Sequence, residues 1–296
     1  MFNGVGFMSV SRLTRGAGIA VLLATIAGSS VLAERAPAPQ DERSQHYYLA
    51  LGASYAFGFQ GAKFQSELQT GTYSAASFDT GYVDDFAQML AAGRSRLETV
   101  NLSCPGETSD SFIDGGCRFH LIGLALHNDY PAAAPQLGAA VAFLNAHPHQ
   151  VHVITISLTD LTGNALSDLY FGTCAQNAAC TLAAFPAFLA HEQGNANEIL
   201  STLQAASPSS QILVLQEFNP YMLAIPLSIP LFSQMNAMLA AVATAHGAIL
   251  ADGVSPVTPS NICALTFVCS APLYDTHPTD AGYAVLAQAL WAAYDN

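Results

Sequence analysis

Five apolar runs rich in β-branched residues alternate with segments of helical periodicity, and this alternation limits the possible folds more than any other feature of the chain. A strand covered by helices on both faces reads as a continuous apolar run. Strands and helices that alternate in this way build a parallel sheet between two layers of helices. The pattern predicts strands over residues 46–53, 97–103, 151–158, 211–218 and 248–252.

Helical periodicity fills the segments between these runs. The last segment places Tyr283, Leu286, Leu290 and Trp291 on one side, as expected of a helix that packs on a sheet. No internal repeat or second domain boundary is visible, so residues 46–296 are predicted to form a single domain. The helices are predicted over residues 82–92, 136–146, 188–206, 233–245 and 279–293.

The first 33 residues read as a secretory signal. Arg12 and Arg15 precede an apolar stretch over residues 16–33, and its small-residue end is followed by charged residues. The stretch is marginal in length for a spanning helix, which favours a cleaved signal over an uncleaved N-terminal anchor. Residues 34–45 then form a short polar tether. We expect a secreted protein, extracellular or periplasmic, with no stable membrane anchor after cleavage.

The charge of the chain excludes one class of partner. Eight Lys and Arg residues face 21 Asp and Glu residues, and removal of the signal leaves six against 21, a formal charge of −15. Lys63 is the single lysine. Such a surface repels phosphate backbones, so nucleic acid is not expected as a partner. Hydrophobic residues make up 51% of the chain, which favours one well-filled globular domain, expected as a monomer.

The six cysteines also favour export, because they fall into three close pairs. Six cysteines allow about 15 connectivities, and pairing by proximity is the simplest of these. Free buried thiols and a metal site are the alternatives, but no C-x-x-C spacing supports zinc. The predicted disulfides are Cys104–Cys117, Cys174–Cys180 and Cys263–Cys269.

Small and polar residues follow several of the predicted strands. Ser54 follows the first strand, residues 101–106 the second and residues 157–160 the third, while Asp275 and His277 follow the fifth strand through a loop. In a parallel sheet, ligands bind outside the carboxyl ends of the strands, so these segments should meet at one edge. A serine hydroxyl becomes a nucleophile when a base, itself held by a third group, lies beside it. The chain offers all three groups.

These segments resemble the sequence blocks of the SGNH/GDSL hydrolases, a family of esterases and lipases. Gly52-Ala53-Ser54, with Gly58 four residues on, resembles the block G-D-S-x-x-x-G, and the similarity makes Ser54 the nucleophile. NLSCPGETS, residues 101–109, resembles the block whose glycine, here Gly106, donates a backbone N–H to the oxyanion. The resemblance covers nearly the whole mature chain and implies a three-layer α/β/α flavodoxin-like fold with a five-stranded parallel sheet.

The final block, DTHPTDAGYAVLAQAL, is similar to the one that carries the acid and the base, which assigns these roles to Asp275 and His277. Family members commonly place two residues between them, whereas this chain has one. Pro278 favours extended angles at His277, and residues i and i+2 of an extended segment point the same way. The carboxylate would then hold Nδ1–H and leave Nε2 for Ser54. Asp280 and Asp252 are the weaker alternatives for the acid.

Two further positions depart from the family pattern. Ala53 replaces the aspartate of the first block, which is not the acid of the triad in the family. Thr159 replaces the asparagine of G-x-N-D, whose side-chain amide is an oxyanion donor. Loss of one such donor typically lowers turnover by about 10² to 10³. The Thr159 hydroxyl and the side chain of Asn164 are the candidates to replace it.

Two other segments admit more than one interpretation. His147, His149 and His152 suggest a metal site, but they precede the third strand and so lie at the edge opposite the predicted site. Residues 219–232 (NPYMLAIPLSIPLF) are apolar and interrupted by prolines. They are either the wall of an acyl pocket or an ordinary buried connection.

The sequence thus predicts a secreted serine esterase or lipase that forms an acyl-enzyme on a small-molecule or lipid ester and needs no cofactor or metal. An acyltransferase would use the same residues, differing only in what excludes water from the acyl-enzyme. A secreted ligand-binding protein on a weakened or inactive hydrolase fold is the contrasting hypothesis, motivated by Ala53 and Thr159. Ser54, Gly106 and His277 argue against it, since binding alone does not require an activated serine.

Overall fold

The computed structural model describes residues 45–92, 96–270 and 274–295. The predicted signal over residues 1–33 and the tether, apart from Gln45, lie outside these residues. A five-stranded parallel sheet forms the centre, in the order β2-β1-β3-β4-β5. Its strands are β1 (His46–Leu51), β2 (Leu97–Asn101), β3 (Val151–Ile156), β4 (Gln211–Glu217) and β5 (Ile249–Gly253).

The five predicted strands are confirmed, and most ends differ by one or two residues. The prediction was wrong at the end of the third strand, because Leu158 begins a helix rather than extending β3. Ser157 turns the chain between the two elements, with φ −93° and ψ 72°. The sequence pattern does not reveal this turn, since Leu158 is as apolar and as buried as the strand residues before it.

The helices occupy both faces of the sheet and several connections. A 3₁₀ turn (Ala75–Phe78) and a π-helical segment (Asp168–Thr173) add to them. The α-helices are α1 (Ser54–Phe57), α2 (Gly61–Thr70), α3 (Tyr82–Ala91), α4 (Ser109–Asp114), α5 (Arg118–Leu121), α6 (Gln136–Ala146), α7 (Leu158–Ser167), α8 (Ala178–Ala206), α9 (Ser228–Ala245), α10 (Ile262–Leu265) and α11 (Asp280–Tyr294).

Two helices begin earlier than predicted, and proline is the reason in both. The prediction began the helix before β4 after Pro186, but α8 starts at Ala178, where the Asn177 side chain accepts the Cys180 N–H at 3.0 Å. Pro186 removes one helical hydrogen bond and a long helix continues through it. Pro230 lies in the first turn of α9, where its missing N–H would have no partner in any case.

The sheet separates two apolar cores, so the molecule has three layers. On one face Leu49, Leu51 and Ile154 pack in a cluster with residues of α6, α8 and α9. On the other face Tyr48 and Leu213 pack in a cluster with residues of α3 and α11. Alternate residues of each strand enter opposite cores, and this explains why the strands read as continuous apolar runs. The predicted fold class is confirmed.

The strand order reverses at β1, since the chain passes from β1 to β2 on one side and later to β3 on the other. Ser54 follows β1 at its carboxyl end. An open parallel sheet leaves a crevice at this point, between connections that leave in opposite directions. The topology therefore places Ser54 at the position where ligands of such sheets bind.

All three predicted disulfides are present, Cys104–Cys117, Cys174–Cys180 and Cys263–Cys269. Among the described residues, the one cluster with metal-ligand spacing is Cys104, Glu107 and Cys117, whose cysteines are already joined to each other. His147, His149 and His152 lie at the amino end of β3, the edge opposite Ser54. Within the described ranges, no helix has the length and apolar character needed to cross a bilayer.

Candidate active site

Ser54 lies on a sharp turn between β1 and α1. Gly52 makes the turn, with φ +140°, and a Cβ there would lie 2.9 Å from the Cβ of Ser157. A side chain at position 52 would therefore meet both backbone strain and a steric clash. Ser54 opens α1 with only 6% of its surface exposed, and Gly58 ends this helix with φ +77°. The turn holds the serine at the mouth of the crevice.

Asp275 and His277 form the pair that their spacing predicts. The Nδ1 of His277 lies 2.5 Å from Oδ1 of Asp275, and the same oxygen accepts the backbone N–H of His277 at 3.1 Å. The contact at Nδ1 leaves Nε2 as the free ring nitrogen. Asp280 instead accepts a hydrogen bond from Gln60, and Asp252 accepts the N–H groups of the turn that follows it. The geometry therefore favours Asp275 over both alternatives.

The first residue of α2 holds the second oxygen of Asp275. Gly61 donates its N–H to Oδ2 of Asp275 at 2.7 Å, and a Cβ at Gly61 would lie 2.8 Å from this oxygen. Burial acts to raise the pKa of Asp275, but the hydrogen bonds from His277 and Gly61 outweigh it and hold the pKa below its ordinary value. The carboxylate is thus ionised and fixed on both oxygens.

Tyr55 joins the serine turn to the segment of the acid and base. Its hydroxyl donates to the carbonyl of Thr276 at 2.7 Å, and its ring lies 5.8 Å from that of His277. Phe59 also contacts the imidazole, edge to face, with ring centroids 4.7 Å apart. Neither aromatic residue was predicted to belong to the site. A buried tyrosine and a phenylalanine after a strand give no local signal of such a role.

Ser54 and His277 line the same cavity, which has a volume of about 400 Å³. They make no direct hydrogen bond in this structure, although both have side chains at its surface. Such contacts are often long in ligand-free enzymes and shorten when substrate binds. The cavity is mostly apolar, and its aromatic walls come from Phe59, Phe64, Phe119, Phe218, Tyr221 and Phe232.

Gly106 also lines the cavity, on the loop after β2. It has φ +78°, and its N–H has no acceptor within the described part of the chain. The neighbouring Cys104 is tied to Cys117, while Glu107 is fully buried and accepts a hydrogen bond from Gln136. Gln136 also bonds both backbone groups of Gly52. The Gly106 loop and the serine turn are thus anchored to one side chain.

The two candidates for the missing oxyanion donor both reach the cavity wall. Thr159, however, donates its hydroxyl hydrogen to Oδ1 of Asn236 at 2.9 Å, away from Ser54. Asn164 donates one amide hydrogen to the carbonyl of Glu107 at 2.9 Å and has a second to offer. Asn164 therefore supports the Gly106 loop, whereas the Thr159 hydroxyl is occupied.

A buried pair of carboxyl groups, Asp160 and Glu217, was not predicted. The Asp160 oxygens lie 3.4 and 3.5 Å from Oγ of Ser54, and one of them accepts the N–H of Tyr55 at 2.8 Å. Burial raises the pKa of Asp160, against the hydrogen bonds of Tyr55 and Ser54 and the proximity of His277. Burial and the Asp160 charge raise the pKa of Glu217 well above its usual value, although Ser157 donates to it. Of these two residues, only Asp160 belongs to a segment that resembles a family block, G-x-N-D. That resemblance does not indicate whether Asp160 is ionised.

Residues 219–232 form one wall of the cavity, as one of the two interpretations predicted. Tyr221 and Phe232 line it, and both also line a narrow apolar pocket behind it with Leu166, Tyr170 and Leu231. The hydroxyl groups of Tyr221 and Ser167 lie 3.0 Å apart. Tyr221 thus belongs to the lining of both spaces.

Solved structures of lipases share this fold. A lipase from a goat rumen metagenome has a TM-score of 0.55 and 15% identity, covering 84% of this chain and 97% of its own. The extracellular lipase of Streptomyces rimosus has a TM-score of 0.52 and 18% identity, covering 84% and 99%. Phospholipase A1 of Streptomyces albidoflavus NA297 also has a TM-score of 0.52, with 20% identity, covering 84% and 100%. At these identities the likeness shows the fold alone.

The family is shown by comparison of the sequence with family models. Among curated proteins, none is significantly similar to this chain. The model of the GDSL-like lipase/acylhydrolase family matches residues 50–285, which include Ser54, Gly106, Asp275 and His277. Since this match spans most of the chain, the protein belongs to the GDSL-like lipase/acylhydrolase family, whose members hydrolyse ester bonds.

Proposed function

We propose that the protein is a secreted serine esterase or lipase in which Ser54 is the nucleophile, His277 the base and Asp275 the acid that orients the base. The observation that carries this proposal is the Asp275–His277 pair, joined at 2.5 Å, in a segment that lines the same cavity as Ser54. Asp275 fixes the imidazole with Nε2 free, the arrangement that a general base requires. Secretion is supported by the three disulfides, which form in oxidising compartments.

The reaction follows from these positions. Ser54 Oγ attacks the ester carbonyl carbon while its proton passes to Nε2 of His277. The carbonyl electron pair moves to oxygen, where the N–H groups of Ser54 and Gly106 stabilise it. Collapse expels the alcohol with the proton from His277 and leaves an acyl-enzyme, which water attacks through the same base. The step requires no metal or organic cofactor.

The cavity supports a carboxylic ester with an apolar acyl group as the substrate. Its volume of about 400 Å³ lies within the range of small-molecule sites, and seven phenylalanine and tyrosine residues line it. The similar solved structures include lipases, a phospholipase and an acetylxylan esterase, so both lipid and acetyl esters are substrates to test first.

The experiment that tests this proposal compares the mature protein with its Ser54→Ala variant. We expect stoichiometric labelling of the wild type by a fluorophosphonate and turnover of short-chain p-nitrophenyl esters, with both lost in the variant. Circular dichroism controls for folding. A folded wild type that neither reacts nor turns over any ester would refute the triad and favour the ligand-binding alternative.

A further inference from the structure

The carboxyl group of Asp160 lies beside the hydroxyl of the proposed nucleophile. It lies 3.4 Å from Oγ of Ser54 and accepts the N–H of Tyr55, next to the N–H of Ser54 itself. Asp160 is buried and lines the cavity with Ser54 and His277. In a tetrahedral intermediate the negative oxygen is attached to the carbon that bonds Oγ. Asp160 is therefore a close neighbour of the charge that develops.

The charge state of Asp160 decides whether this position favours or opposes the reaction. A carboxylate would repel the oxyanion and would compete with it for backbone N–H groups, at an interior site where charges interact strongly. A neutral carboxylic acid has an O–H to donate and is a weaker acceptor. The Thr159 hydroxyl is not available for this role, since it donates to Asn236.

We propose that Asp160, in its protonated form, is the side-chain donor of the oxyanion hole. This inference rests on the proposed esterase function. As Ser54 attacks, its proton moves to His277 and the carbonyl electron pair moves to oxygen, which accepts a hydrogen bond from the Asp160 O–H. Asp160 keeps its proton throughout, so it acts as a donor and exchanges nothing with the substrate.

The surroundings of Asp160 keep it protonated to a higher pH than an exposed aspartate. It lies within a mostly acidic and aromatic group of titratable side chains, in which Glu217 of β4 is also buried. Burial raises the pKa of Asp160 to about 6, against the hydrogen bonds that Tyr55 and Ser54 donate to it and the proximity of His277. The titratable groups that face it are Tyr55 of α1, Tyr82 of α3, Glu217, Tyr221 after β4, His277 and Tyr283 of α11.

This arrangement gives the enzyme an unusual dependence on pH. Activity requires neutral His277 and also neutral Asp160, so kcat/KM should fall as pH rises through the pKa of Asp160. Well above that pKa the neutral fraction drops about tenfold for each pH unit. A triad without this requirement would show no such decline, because a rise in pH only increases the neutral fraction of its base.

The test compares the pH profiles of kcat/KM for p-nitrophenyl acetate between pH 5 and 9, corrected for spontaneous hydrolysis. The wild type should show an alkaline decline. Asp160→Asn places an amide donor of the same shape at the site, so the decline should disappear and activity at pH 8.5 should exceed that of the wild type. Asp160→Ala should lose about 10² to 10³ at the optimum. Ser54→Ala tests the proposed function separately.

The matched control is Glu192→Gln. Glu192 is another buried carboxyl, with a pKa raised by burial to about 7, but it contacts Ser109 rather than Ser54, so its loss should leave the decline unchanged. If kcat/KM of an active wild type did not decline at alkaline pH, the inference would be overturned without any variant. It would also fail if Asp160→Asn kept the wild-type profile while Asn164→Ala lost about 10², which would identify Asn164 as the donor.

Discussion

At the scale of single residues, Gly61 is the clearest example of a constraint that acts through a neighbour. Its N–H holds Oδ2 of Asp275, and there is no room between them for a side chain. We predict that Gly61→Ala lowers kcat about tenfold by displacing Asp275, without unfolding the protein. Steady-state kinetics with p-nitrophenyl acetate would measure the loss.

Gly71, which directly follows the other end of α2, provides the control for this prediction. It has φ +68°, but a Cβ at this position would meet no atom within 4 Å. Gly71→Ala should therefore lower stability by about 1 kcal/mol and leave kcat unchanged. Equal kinetic effects of the two variants would show that α2 as a whole, rather than the contact with Asp275, is responsible.

Asp275 itself is open to a direct test. We predict that Asp275→Asn lowers kcat by about 10³ to 10⁴, because an amide does not fix the imidazole with Nε2 free to accept a proton. Asp280→Asn, which removes a carboxylate bonded only to Gln60, should remain near the wild-type rate. A large loss in Asp280→Asn with little in Asp275→Asn would reverse the assignment.

The sequence was sufficient to predict Ser54, Gly106, Asp275 and His277 as neighbours, because each follows a strand at the same edge of the sheet. It was not sufficient for the contacts of Tyr55, Gly61 and Asp160, although Asp160 lies in a segment that was predicted to reach this edge. Their contacts depend on the direction of the chain after Gly52 and Ser157, which sequence periodicity does not specify. The direction of the Thr159 hydroxyl likewise depends on the position of α9, because α9 carries its acceptor, Asn236.

At the scale of elements, the connection after β4 forms one wall of the cavity. Tyr221 lines both this cavity and the apolar pocket of Leu166, Tyr170 and Leu231. We predict that Tyr221→Ala joins the two spaces and raises kcat/KM for decanoyl over butyryl p-nitrophenyl esters severalfold relative to the wild type. Tyr221→Phe keeps the ring and loses only the contact with Ser167, so it should retain the wild-type ratio. An unchanged ratio in Tyr221→Ala would show that acyl chains take another path.

The loop that carries Gly106 is held by the Cys104–Cys117 disulfide. Cys104 and Cys117 enclose a loop with a sequence separation of 13, and their removal by double alanine substitution should cost about 3 kcal/mol. We also predict a loss of kcat, since Gly106 lies two residues from Cys104. The Cys174–Cys180 bridge is the control, because it spans a shorter loop outside the cavity lining. Its removal should reduce stability while acetate hydrolysis persists.

The elements themselves were predicted to different extents. Long apolar strands and the helices of the two cores were identified because their periodicity extends over several turns. The short helices α1, α5 and α10, of four residues each, have no such periodicity. The ten-residue α2 was also missed, and its burial pattern contains no fully buried residue, so no apolar stripe marks it.

At the scale of the whole molecule, buried carboxyl groups couple stability to pH. Burial raises the pKa of Glu107 to about 8 and that of Glu192 to about 7. Their folded-state pKa values lie above the unfolded ones, so their contribution is complete below about pH 4.5 and is lost as pH rises through 7 and 8. We predict that the free energy of unfolding, measured with urea, falls by several kcal/mol between pH 5 and pH 8.5.

Single variants separate these groups from the general effect of negative charge. Glu107→Gln and Glu192→Gln should each flatten the dependence on pH, whereas Glu198→Gln, at a more exposed position of the same helix as Glu192, should not. A stability that is constant over this range in the wild type would mean that the buried carboxyls find compensating partners on ionisation.

The first and last parts of the domain are joined directly around the site. Tyr55 donates to Thr276 across 221 residues, and Tyr283 donates to the carbonyl of Phe59 across 224. The site therefore depends on contacts of long sequence separation, which form late in folding because the entropy of loop closure must be overcome before they contribute.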